Sequence, residues 1–354
     1  MKKQIMKRTV FYLSLVVALA CSTVPAWAQI KAAAETGQEI QPRAVISPGI
    51  RTFGIAFSHD GKTVWLSNGN AAELWDLETG EMQMNLKYDS SERPDFHIGS
   101  IYSLAMSPDG KTMASGAQGG ELKFWDPETG KVKTTADLRS GEIRSVAWSL
   151  DGSVVAAAQD YTEALVKLVD PASGNVKATL EVSKYRGKGV ITYSPDGRFL
   201  ATSGGGAMNK VMLFDAKTGI LRKALEISHE DERGYPQDVG RFAFSPDSNT
   251  VATGGAHSGY LLNVATGRVR AALPHEAPKN KKNQVMAVAF SPDGKLVATA
   301  CVDGTAKLWD AATGKLKATL LGEDALHIVA FSPDGRTVLV GFENGTKLYE
   351  VPGK

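Results

Sequence analysis

The chain has 354 residues, 43% of them hydrophobic and 22% charged, with a formal net charge of +2. That balance excludes a largely disordered chain, a collagen and a coiled coil. Glycine is enriched to 36 residues while proline stands at 15, which suits many tight turns between short strands; two cysteines, Cys21 and Cys301, are too few for a disulfide framework.

Residues 1–28 read as a secretory signal peptide. Lys2, Lys3, Lys7 and Arg8 make a basic start, the run from Val10 to Cys21 is apolar, and Ala26-Trp27-Ala28 offers small residues for cleavage. The apolar run is shorter than the ~20 residues a spanning helix needs, which weighs against a membrane anchor. Leu19-Ala20-Cys21 also resembles a bacterial lipoprotein signal, although Ala18 stands where a large aliphatic residue is usual. Cleavage after Ala28 removes four bases and no acid, so +2 becomes −2 and net charge no longer argues for nucleic acid. The expected address is the periplasm or the exterior, with a lipid on Cys21 as the less favoured form. Residues 29–37 read as a short linker and 38–354 as one folded unit. Cys301, in the apolar run from Leu296, reads as core.

From there on the chain repeats itself. A phrase of the form Ala-aromatic-Ser-x-Asp-Gly is anchored by Ser58, Ser107, Ser149, Ser194, Ser245, Ser291 and Ser332, at intervals of 41 to 51 residues. Ser-Pro-Asp-Gly is a tight turn, with proline presetting the first corner and glycine taking the left-handed one. A second phrase follows each anchor: Leu74-Trp75-Asp76, Phe124-Trp125-Asp126, Leu168-Val169-Asp170, Leu213-Phe214-Asp215, Leu262-Asn263 and Leu308-Trp309-Asp310, each with Thr-Gly or Ser-Gly three residues on. The seventh, Leu348-Tyr349-Glu350, is degenerate. Each repeat therefore holds about four short antiparallel strands.

A unit of this length ending in Trp-Asp resembles the WD-repeat family, over roughly residues 40–351. The resemblance implies an all-β fold: a seven-bladed β-propeller of four-stranded antiparallel blades. It also implies structural roles for Trp75, Trp125 and Trp309, for Asp303 as the aspartate of the family's hydrogen-bond network, and for His97. That histidine stands about ten residues before Ser107, without the family's preceding glycine. Elsewhere the Gly-His pair is missing, and other copies have Gln118-Gly119 or Asn344-Gly345 at the aspartate, so the blades should be stapled unevenly. Six copies have a fourth strand after Thr/Ser-Gly and the seventh has none. Residues 40–46, with Pro42 tolerated on a free edge, are expected to supply it and close the ring.

No catalytic constellation stands out. The histidines at 59, 97, 229, 257, 275 and 327 form no His-x-x-x-His, and Gly204-Gly205-Gly206 opens no helix. His229–Arg233 and Lys279–Lys282 read as solvated loops. No cofactor, metal or nucleic-acid partner is expected. The two repeated turns share one face, whereas the other connections vary in length and share the opposite one, called the top in this family. Loops on a rigid scaffold collect function, and these carry Phe96, Tyr161, Tyr185, Arg186, Met208, Arg233, Tyr235 and His257, several of them interface-anchor types. The expected function is a non-enzymatic, exported, monomeric scaffold that binds protein through this face. The alternative is an enzyme or small-ligand binder that uses the central funnel.

Overall fold

A computed structural model describes residues 38–46, 52–87, 100–138, 141–160, 164–183, 189–203, 210–226, 241–275 and 283–353. The segments read as signal and linker lie outside the described residues. The strands form seven sheets. Blade one spans residues 55–87, blade two 101–137, blade three 142–183, blade four 191–226, blade five 242–274, blade six 285–321 and blade seven 326–350. Within each of these spans the strands lie in sequence order and pair antiparallel. The molecule is a seven-bladed β-propeller. Among the described residues no helix is long and apolar enough to cross a membrane.

The repeated phrases are the hydrogen-bonding hardware of the blades. In each first-to-second turn the serine Oγ donates to the aspartate two residues on, at 2.5–2.7 Å from Ser58–Asp60 to Ser332–Asp334. The same Oγ accepts the backbone N–H five residues on, for example Thr112 N at 2.9 Å and Thr337 N at 3.0 Å. One hydroxyl thus ties both strands to the turn, which is why serine recurs. Where the fifth copy lacks glycine, Ser248 takes φ 60°, and its Oγ accepts from Asp196 N of blade four at 3.1 Å. In the third-to-fourth turns the aspartate caps the corner, as when Asp76 Oδ1 accepts from Thr79 N at 2.8 Å.

The core is a ring of seven apolar seams, each joining two consecutive blades. Small residues on the second strands let blades approach. A Cβ on Gly116 of blade two would sit 2.4 Å from Ile143 Cγ2 of blade three, so only glycine fits.

Ring closure differs in detail from the expectation of one strand over residues 40–46. The N-terminal segment makes two strands, β1 (Gln38–Ile40) and β2 (Ala44–Ile46). β2 pairs antiparallel with the last strand, Gly345–Glu350, and completes blade seven. β1 pairs parallel with Leu316–Leu321 and gives blade six a fifth strand. Pro42 lies in the link between them, where a missing N–H costs no ladder bond. Arg43 N donates to Leu348 O at 2.7 Å and its Nη2 to Leu77 O of blade one at 2.6 Å. Nine residues therefore bind blades six, seven and one together.

Candidate functional site

The inner strands begin at the end of the ring opposite the two repeated turns, and there a cluster forms from residues five positions before the anchoring serines. In blades two and three that position falls in a β-bulge, between Ile101 and Ser103 and between Ile143 and Ser145. The residues are Phe53 of blade one, Tyr102 of blade two and Arg144 of blade three. Phe53 and Tyr102 meet edge to face with ring centroids 5.4 Å apart. The Arg144 guanidinium lies 4.2 Å from the centroid of Tyr102 on that ring's face. Glu142 forms an ion pair with Arg144 and accepts a hydrogen bond from the Tyr102 hydroxyl. Burial and the Glu142 charge push the phenol pKa above its usual value, so Tyr102 remains a donor at neutral pH.

From the far side, Arg241 of blade five reaches across the ring and donates from Nη2 to Phe53 O at 2.9 Å. In blade seven, His327 Nε2 lies 3.0 Å from Glu343 Oε1. The channel mouth is thus lined by half-buried aromatic rings, guanidinium groups and carboxylates that hold one another in place.

The sequence-selected loop residues fall mostly elsewhere. Phe96, Tyr161, Tyr185, Arg186, Met208, Arg233, Tyr235 and His97 lie outside the described residues, as do Gly204–Gly206, His229–Arg233 and Lys279–Lys282. His257 is exposed, with φ 61°. Phe53, Tyr102, Arg144 and Arg241 were passed over in the sequence because they belong to inner strands or their approaches rather than to loops. For Phe53, Tyr102 and Arg144 the signal was positional, a large side chain five residues before the anchoring serine; Arg241 stands four before Ser245.

Asp303 and Trp309 belong to a buried network in blade six whose histidine is His275. His275 Nε2 lies 2.7 Å from Thr299 Oγ1, and its Nδ1 lies 3.3 Å from Asp303 Oδ2 and 3.2 Å from Thr305 Oγ1. The Trp309 indole donates to Thr299 Oγ1 at 2.8 Å. Burial holds the His275 pKa below its usual value, against the pull of Asp303. The sequence hid this histidine because it precedes Ser291 by 16 residues rather than about ten. In blade two the Trp125 indole donates to Ser115 Oγ at 2.7 Å. In blade one Leu66 occupies the hydroxyl position, and Trp75 donates instead to Glu73 Oε2 at 3.1 Å.

His275, Cys301 and Asp303 could each offer one ligand atom to a cation, all within 4.8 Å of one another. Each is already engaged. The Cys301 thiol donates to Asn283 Oδ1 at 2.7 Å, and burial pushes its pKa up to about 12. A protonated, fully buried thiol is a poor ligand and a poor nucleophile.

Comparison with known proteins agrees with this architecture. The WD40 model (WD domain, G-beta repeat) matches residues 94–126 and 275–310, the second match starting at His275. Protein HIR1 of Yarrowia lipolytica is 26% identical over 59% of this chain and 18% of its own length. The serine-threonine kinase receptor-associated protein of Gallus gallus is 25% identical over 69% of this chain and 62% of its own. A guanine nucleotide-binding protein subunit beta of Arabidopsis thaliana is 28% identical over 62% and 58% respectively. In each case the chain spans less than two thirds of the relative.

Proposed function

The chain is a member of the WD40-repeat β-propeller family, and from that premise we propose that it is an exported, non-enzymatic scaffold that binds another protein through the top face. The observation that carries this reading is the Phe53–Tyr102–Arg144 array, held by Glu142 at the channel mouth on the face of the variable connections. Aromatic rings and arginine are the side chains most enriched at interface hot spots, and ones fixed by neighbours lose little entropy on binding. A subunit and a receptor-associated protein among the relatives add to it. Export rests on the basic, apolar and small-residue pattern of residues 1–28 alone.

The test is affinity capture from a cell-envelope extract with wild type, with Tyr102→Ala plus Arg144→Ala, and with Thr79, Thr129, Thr218 and Thr313→Ala on the opposite face. The first variant should lose its partners and the second keep them, since a true hot spot costs about 2 kcal/mol or more. The reverse result would put the interface on the wrong face. A metabolite bound in the channel with no protein captured would favour the funnel alternative. Intact mass of the exported protein should correspond to a start at Gln29; a diacylglyceryl adduct on Cys21 would replace that reading with a lipoprotein.

A further inference from the structure

The opposite face carries the Ser-x-Asp-Gly turns, and its interblade notches are not equal. Between blades five and six the notch has a volume of about 260 Å³; between blades two and three the corresponding notch has about 480 Å³. One exchange accounts for much of the difference. In blade five the third-to-fourth turn carries uncharged Asn263, and Arg270, seven residues on, reaches across to donate to Ala311 O of blade six, narrowing the notch. In blade two the same positions are Asp126 and Lys133. The Lys133 amine stays with its own blade, 2.6 Å from Lys111 O, 3.2 Å from Thr112 Oγ1 and 3.9 Å from Asp126 Oδ2. Its notch stays open, within the size range of ligand pockets (roughly 300–1,000 Å³).

Blade three departs from the repeat at this same place. Five of the seven turns have proline between serine and aspartate and the first has His59; the third has Leu150, which is 59% exposed. Two residues after the aspartate stand Lys62, Lys111, Arg198, Lys295 and Arg336 in five copies, but Ser153 in the third and Asn249 in the fifth. Asp151 therefore has no base two residues on. Hydrogen bonds, first from Ser149 and then from Ser153, bring its pKa down to about 2, so it carries a full charge. Lys177 of the same blade donates to Ser153 O at 3.2 Å and pairs with Asp170 at 2.9 Å rather than with Asp151.

Leu150 also walls a second cavity of about 350 Å³ toward the channel, lined by Met106, Trp148, Tyr193 and Pro195. The two cavities share Pro108, Trp148 and Leu150. The shared wall is rigid, because the Trp148 indole donates to Ala105 O at 3.1 Å and its ring meets Phe124 edge to face at 5.9 Å. The inner cavity has no ionic side chain in its lining. The outer one has Asp109, Asp151 and the engaged Lys133, an excess of one negative charge.

We propose that the two adjoining cavities are a second docking site, separate from the channel mouth, for an extended segment of a partner protein that passes over Leu150 and seats an apolar side chain against Trp148 and Tyr193 and an arginine or lysine beside Asp151. The charge of the outer notch selects the basic residue, and the apolar lining of the inner one selects its neighbour.

The test uses the full folded chain and fluorescein-labelled nonapeptides in which an arginine stands one, two or three residues from a leucine on a glycine-serine background. Fluorescence anisotropy should show binding that is at least about tenfold weaker when glutamate replaces the arginine or when serine replaces the leucine. Leu150→Pro, which restores the residue of five other turns, should weaken binding by about tenfold or more. Asp126→Asn together with Lys133→Arg, which copies the blade-five pair, should do the same with an unchanged unfolding midpoint. If either variant unfolds early, amide hydrogen exchange of the wild type settles the matter, since bound probe should protect residues 108–112 and 148–153. The proposal fails if no probe binds wild type, if the glutamate probe binds equally well, or if protection appears elsewhere.

Discussion

The seam between blades six and seven and the seam between blades seven and one do the same job with different means. Among the described residues the first buries fifteen apolar side chains and the second six. The rich seam has blade six's His275–Thr299–Asp303–Trp309 network behind it. The poor seam adjoins blade one, where Trp75 is held by Glu73, itself bonded by Asn68 Nδ2 at 2.6 Å and Asn85 Nδ2 at 3.3 Å. Where the chain closes on itself, fewer side chains meet, and residues 38–46 add ladder bonds and Ile46 from outside. A ring is as strong as its weakest joint, so the clasp should matter more than its nine residues suggest.

Deleting residues 38–46 should produce the largest effect. It uncovers two outer strand edges and removes Ile46, which is 1% exposed, from the poor seam. A loss of about 4 kcal/mol or more is expected from the core side chain and the ladders together, read by urea unfolding. Hydrogen exchange should rise first in blades seven and one and last in blade six. Unfolding indistinguishable from the parent would mean the poor seam closes unaided.

Next is His275→Ala, which leaves Thr299 and Asp303 short of a buried partner and opens a cavity; about 3 kcal/mol is expected. The same residue makes blade six pH-sensitive. Its pKa is depressed in the fold, so the unfolded chain binds the proton more readily. Stability should therefore fall as pH drops below about 6.5, the unfolded value, toward the folded one. Comparing urea midpoints at pH 7.5 and 5.5 should show a smaller drop for the variant than for wild type.

Arg43→Ala should cost about 1–2 kcal/mol, because a charged donor is withdrawn from Leu77 O while the strand pairing of the clasp remains. Its effect on exchange should be confined to blades seven and one. The smallest change is expected from Glu73→Gln, about 1 kcal/mol, since an amide oxygen can still accept from Trp75 while the Asn68 and Asn85 amides must turn their oxygens toward the new NH2 group. The intrinsic fluorescence spectrum should then stay close to that of wild type.

Much of this architecture could be read from residues alone. Ser58 through Ser332 mark the turns because each hydroxyl must serve both strands of its hairpin, a local requirement that leaves a local signature. The missing fourth strand after Leu348-Tyr349-Glu350 pointed to the N-terminal segment for the same reason. The functional cluster was harder to see. Tyr102 and Arg144 are 42 residues apart in sequence and meet because adjacent inner strands converge on the channel. His275 was displaced from its expected spacing by an insertion that does not disturb its place in space.

The number of blades, their strand order and their turns follow from repetition, since every repeat carries its own turn chemistry and strand pattern and needs only its neighbours. Tertiary structure alone decided how the copies differ in use. It split the N-terminal segment between two blade edges, because two edges lay within reach of a nine-residue span. It gave Trp75 a carboxylate in place of a hydroxyl, because Leu66 cannot accept a hydrogen bond. It left one interblade notch wide and narrowed another, because Lys133 stays with Lys111 O and Asp126 of its own blade while Arg270 crosses to Ala311 O of the next. These are contacts between residues from different copies, and a repeat read by itself contains no record of what its neighbour will present.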